Sequence, residues 1–188
     1  MKFRVLVAGV ATVLTLSACA VALHPWYESG DVIEEPLLTG TWTGEDMSWT
    51  FAHRTDAPGY TLTITETDRG RTVAATMVAT LFELDGHRYL DVMPSDIDDY
   101  AIPGIVSAGL FPGHLVLHVT GIDAMLEMAL VDEDWLDEYL RDHPHALERY
   151  ATGERWLLTS PTRKLQRFLI RHVDGPGLFG DTLALEKQ

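Results

Sequence analysis

Cys19 is the only cysteine in the 188-residue chain, so any chemistry that needs a sulfur nucleophile falls to it alone. It stands directly after Leu16-Ser17-Ala18, and ahead of those lie Lys2, Arg4 and an apolar run from Val5 to Leu16. A short basic start, a short apolar stretch and small residues before a cut are the parts of an export signal. The run is too short to span a bilayer as a stable helix, which takes about 20 apolar residues.

The other chemistry-bearing residues make weaker patterns. His114 and His118 would lie roughly 13 Å apart on one strand, at about 3.3 Å per residue, too far to share a metal ion. They alternate with Leu115, Leu117 and Val119, so they should point away from the apolar layer. His143-Pro144-His145 falls at an expected helix end, where histidine commonly caps carbonyls. Asp96, Asp98 and Asp99 share a loop, but a calcium loop needs Gly and Glu where Ala101 and Ser107 stand. There is no Gly-x-Ser-x-Gly elbow, no His-Glu-x-x-His and no phosphate-binding glycine loop. Paired carboxylates that meet only in three dimensions stay open, and with them an envelope hydrolase.

Two features concern binding. Between Pro94 and Gly113 the connection is long and carries Ile102, Ile105, Val106, Leu110 and Phe111. It reads as a lid or partner patch, or as a plug in a barrel end. Arg163, Lys164, Arg167 and Arg171 form a basic stripe at helical spacing. The stripe either faces anionic headgroups or is neutralised by nearby acids.

The elements that must position these residues are mostly strands. Apolar and polar residues alternate over Met47–Ala52, Tyr60–Thr65, Arg71–Leu84, His87–Met93, His114–Thr120 and Met125–Val131. Turns at Asp56-Ala57-Pro58-Gly59, Asp68-Arg69-Gly70 and Asp85-Gly86 separate them. Asp132 should cap a helix that buries Trp135, Leu136, Tyr139 and Leu140 and ends by Pro144. A strand is expected over Glu154–Thr159. Ser160-Pro161 should then cap a second helix, burying Leu165, Phe168 and Leu169. Thr182–Glu186 offers a last strand. The fold class expected is mainly β (α+β), an antiparallel meander forming a barrel or sandwich with two helices in the C-terminal half.

Charge bounds the partners. The chain carries 14 Lys and Arg against 28 Asp and Glu. Without Lys2 and Arg4 there remain 12 basic residues against 28 acidic ones, a formal charge of −16. Such a surface repels nucleic acid and anionic headgroups. No cofactor is implied. Residues 1–18 read as the signal, 19–37 as a solvated tether and 38–188 as one domain. Fully extended, the tether would reach roughly 60 Å at about 3.3 Å per residue.

Three resemblances refine this. Leu16-Ser17-Ala18-Cys19 resembles the signal of bacterial lipoproteins, which implies lipid on the Cys19 sulfur and cleavage just before it. Ala20, in place of Asp, implies the periplasmic face of the outer membrane in a two-membrane host. An ordinary cut after Ala20 is the alternative and would release a soluble protein starting at Val21. Thr39-Gly40-Thr41-Trp42 is similar to the Gly-x-Trp start of lipocalin-like barrels. The chain also resembles a family of uncharacterised bacterial lipoproteins over about residues 38–180. The matching stretches are Tyr89-Leu90-Asp91-Val92-Met93-Pro94, Asp134-Trp135-Leu136 and Leu158 to Leu169. This implies a lipocalin-like domain with no assigned catalytic residues. The expected role is a lipid-anchored envelope protein that binds a small apolar ligand or an envelope protein; a purely structural role is the other non-catalytic choice.

Overall fold

The computed structural model describes residues 20–95, 111–152 and 155–188. Its centre is a closed antiparallel barrel of eight strands. In chain order these are β2 (Gly40–Thr43), β3 (Met47–His53), β4 (Tyr60–Asp68), β5 (Arg71–Leu84), β6 (His87–Pro94), β7 (Leu115–Ile122), β8 (Met125–Val131) and β11 (Phe179–Lys187). Each pairs with its sequence neighbour, and β11 closes the ring between β8 and β2. The fold is that of a lipocalin-like barrel. A separate three-stranded sheet joins β1 (Val21–Ala22), β10 (Arg155–Leu158) and β9 (Arg149–Thr152). Among the described residues there are two α-helices, α1 (Glu133–Asp142) and α2 (Thr162–His172).

The period-two pattern sorts side chains into two cores. Trp42, Phe51, Tyr60, Leu62, Leu81, Leu90, Val92, Leu117, Leu126 and Met128 belong to the cluster inside the barrel. The alternate positions Phe82, Leu84, Tyr89 and Val116 face outward into a second cluster. That cluster also takes Leu136 and Leu140 from α1, Leu165, Phe168 and Leu169 from α2, and Trp26. Strands β5 and β6 are therefore apolar on both faces where the helices cover them. At the turns, Arg69 and Gly70 (φ 49° and 77°) and Asp85 and Gly86 (φ 51° and 82°) take the left-handed conformations that suit tight hairpins.

Residues 20–37 are not a solvated tether. Ala20, Ala22 and Trp26 are 5%, 0% and 1% exposed. The segment starts where β6 leads into β7, with Ala22 bridged to His114. It then crosses the barrel wall. Strand β4 reaches only as far as Ala79 on β5, and the edge of β5 beyond it is taken by the segment. Val32 bridges Phe82 there, and Ile33 donates its N–H to the Leu81 carbonyl. A 3-10 turn at Pro36–Leu38 closes the opposite end, where the Trp42 indole donates to the Leu38 carbonyl at 2.8 Å. The polar and proline residues of this stretch suggested solvation, yet many of its backbone groups bond to the barrel, the small sheet and α2.

The helix starts differ in one respect from expectation. Asp132 caps α1, accepting from the Trp135 N–H at 2.8 Å. Pro161, not Ser160, is the N-cap residue of α2 and makes no side-chain cap bond. The Ser160 hydroxyl is instead bound to Glu148, accepting from its backbone N–H at 2.7 Å and donating to its carboxylate.

Candidate functional site

The N-terminal segment brings together the residues with most capacity for function. Asp91 lies midway along β6 on the outward face, 2% exposed. One carboxylate oxygen meets His114 Nδ1 at 2.7 Å, and the other accepts the Trp26 N–H at 2.9 Å. A buried carboxylate on Nδ1 fixes the orientation of an imidazole, as it does in acid–base sites. Here, though, the second oxygen holds a backbone amide of the N-terminal segment, and Ala22, four residues before that amide, bridges to His114 itself. The three groups form a clasp between β6, the start of β7 and the N-terminal segment. Further bonds run from α2: Thr162 donates to the Pro25 carbonyl at 2.8 Å, and Gln166 donates to the Trp26 carbonyl and the Asp31 carboxylate.

His114 and His118 point away from the barrel interior, as their alternation implies. They are only partly exposed there, because the outer core covers much of that face. His118 stacks among Tyr89, His87 and Phe179 at centroid distances of 5.3, 5.6 and 5.0 Å. Burial, with His87 beside it, holds its pKa below the ordinary value. His143 caps the end of α1 as expected, its Nδ1 3.0 Å from the Tyr139 carbonyl. Among the described residues no group of three or more His, Cys, Asp or Glu is placed to hold a metal.

A cleft of about 660 Å³ opens between α2 and the small sheet, lined in part by His145, Glu148, Arg149, Trp156, Thr159 and Lys164. Its charges are already committed. Lys164 Nζ binds Glu148 at 2.7 Å and the His145 carbonyl at 3.2 Å. Arg149 donates to the Leu140 carbonyl at 2.9 Å and lies over the Trp156 ring. Lys164, then Ser160, hold the Glu148 carboxyl down at about 2. A carboxylate so stabilised is a poor general acid, and Glu148 is the one carboxylate among the cleft's described lining residues.

Of the residues singled out by sequence, Cys19, Ile102, Ile105, Val106 and Leu110 lie outside the described residues. Phe111 is described and is 44% exposed. The basic stripe divides. Arg163 binds Glu28 at 2.8 Å and Lys164 binds Glu148, while Arg167 and Arg171 are exposed on the same helix. The neutralising acids come from the N-terminal segment and the entry to β9, not from α1. Sequence reasoning missed the Asp91 clasp. Its only signal was an acid at an outward position of a strand, between Tyr89 and Met93 on the same face.

No family model, curated protein or solved structure matches this chain, so the reading of the site rests on its own geometry.

Proposed function

We propose that the chain is a lipid-anchored protein of a bacterial envelope whose barrel domain binds an envelope partner and performs no chemistry. The observation that carries this reading is the sole cysteine behind an export-type leader, one residue ahead of the buried Ala20. On this reading diacylglycerol on Cys19 holds the domain at the periplasmic face of the outer membrane. More than one acyl chain is needed for firm anchoring, since each buried methylene adds about 0.8 kcal/mol.

A partner protein is favoured over an internal ligand by how the barrel is filled. Trp42, Tyr60, Leu62, Leu81 and Leu90 are each 0% exposed, and Phe51 is 1% exposed. These side chains take up space that a ligand would need. The second reading, a small apolar ligand, draws on Met47, Ile64 and Met77, which are only partly buried at the end from which the β4–β5 hairpin extends.

Cys19→Ala tests the anchor. The variant should leave the membrane fraction with its circular dichroism unchanged; retention in the membrane would overturn the reading. Organic extraction of the purified protein with mass spectrometry separates the two occupants. A stoichiometric apolar molecule would favour the ligand, and a single stoichiometric crosslinked protein would favour the partner.

A further inference from the structure

The outer face of the three-stranded sheet concentrates exposed apolar side chains. Val21, Leu157 and Tyr150 are register partners across β1, β10 and β9. Partners in register share a face. This row faces away from the core, because its neighbours Ala22 and Leu158 are the buried ones. Leu23 extends the row, its N–H donated to the Leu158 carbonyl. Phe111 adjoins it. Gly113 packs so tightly that a Cβ there would stand 2.2 Å from a Val21 methyl and 3.5 Å from the Phe111 ring. Six large hydrophobic residues are exposed among the described residues, and three of them belong to this face: Leu23 at 41%, Phe111 at 44% and Tyr150 at 67%.

We propose that this face is a membrane-contact surface, with Leu23, Phe111 and Tyr150 seated in the interfacial layer of a bilayer. The inference rests on the anchoring reading and adds to it how the domain lies. The place where the described chain begins favours lipid over a protein partner. Ala20 is buried and Cys19 adjoins it, so a lipid-bearing residue stands two positions, at most about 7 Å of extended backbone, before the first residue of this sheet. No slack is left to hold the face off the bilayer. The face is also shallow, three strands wide at about 4.8 Å spacing, which suits lying on a surface more than gripping a peptide. Tyrosine is a residue of membrane interfaces, where its ring is buried and its hydroxyl wet.

The test uses the full, acylated protein in vesicles of phosphatidylethanolamine with some phosphatidylglycerol. Because the sole cysteine carries the lipid, one new cysteine can be labelled specifically. Leu23→Cys, Tyr150→Cys and, at the opposite end of the barrel, Leu37→Cys would each carry an environment-sensitive dye. Nitroxide lipid should quench the labels at 23 and 150 severalfold more than the label at 37, and aqueous iodide should show the reverse order. Labels at 23 and 150 that iodide reaches as freely as that at 37 would overturn the proposal. Labels shielded from both quenchers would overturn it too, since protein would then cover the face. Mass spectrometry of the N-terminal peptide distinguishes the two failures. An acylated chain with positions 23 and 150 in water loses the face and keeps the anchor, whereas an unacylated Cys19 loses both.

Discussion

At the scale of single residues, Asp91 has the most to lose. Its two oxygens satisfy the buried Trp26 amide and His114. Asp91→Ala would strand both partners, and a lost charged hydrogen bond with an unsatisfied buried group costs about 3 kcal/mol. Denaturant unfolding should show that loss, with Asp91→Asn recovering part of it. Tyr89 makes the opposite case. Its hydroxyl is buried with no hydrogen-bond partner among the described residues, and burial raises its pKa. Tyr89→Phe removes an unpaired polar atom, so stability should hold or rise by about 1 kcal/mol in the same experiment. His118 and His172 set a pH dependence. Burial comes first in lowering both, followed by His87 for His118 and by Arg171 and His143 for His172. The unfolded chain accepts protons there that the fold resists, so stability is full above about pH 6.5 and falls as pH drops below it. Tm should decline between pH 7.5 and 5.5, and His118→Gln with His172→Gln should flatten that decline.

At the scale of elements, the barrel strands were legible because each has one face in the interior and alternates accordingly. Arg71–Leu84 and Met125–Val131 match their expected limits, and α1 begins at its expected cap. What escaped notice has a physical reason. Strand β1 is two residues long and β9 four, too short for a period to register. The N-terminal segment has no periodicity, since it crosses several strands, and its acids read as solvating when Asp31 and Glu28 in fact bind Gln166 and Arg163. Ser160 misled because a serine before proline is a common helix start, whereas its partner Glu148 lies twelve residues upstream. Of the candidate site, the neutralisation of Arg163 and Lys164 by nearby acids could be anticipated; the clasp depends on three segments that only the fold unites. Trp26 is the segment's main anchor. Trp26→Ala should cost about 3–5 kcal/mol, as for other large-to-small core changes, and should speed proteolysis within residues 20–38. The Glu148–Lys164 contact belongs to this scale too. A carboxyl held at about 2 contributes stability above its ordinary value near 4.5, which is lost as pH falls toward 2. Glu148→Gln should therefore lower Tm at pH 7 and converge on the parent protein near pH 2.

At the scale of the whole molecule, one sheet wall serves two cores, and the helices on its outside depend on the N-terminal segment as much as on the barrel. A chain starting at Thr39 would uncover the outer face of β5 and β6 and open the barrel end at Leu38. It should lose cooperative unfolding, seen as a broadened calorimetric transition, where an independent barrel would keep a sharp one. The pairing of early with late residues also sets a schedule. Val21 meets Leu157, and Trp42 meets Lys187. Neither the seam nor the ring can close until nearly all of the chain has emerged, and contacts so distant in sequence form slowly. The residues beside Cys19 are thus fixed only once Leu157 and Leu158 have been made. A chain truncated before β11 leaves β8 and β2 unjoined and never reaches the closed form.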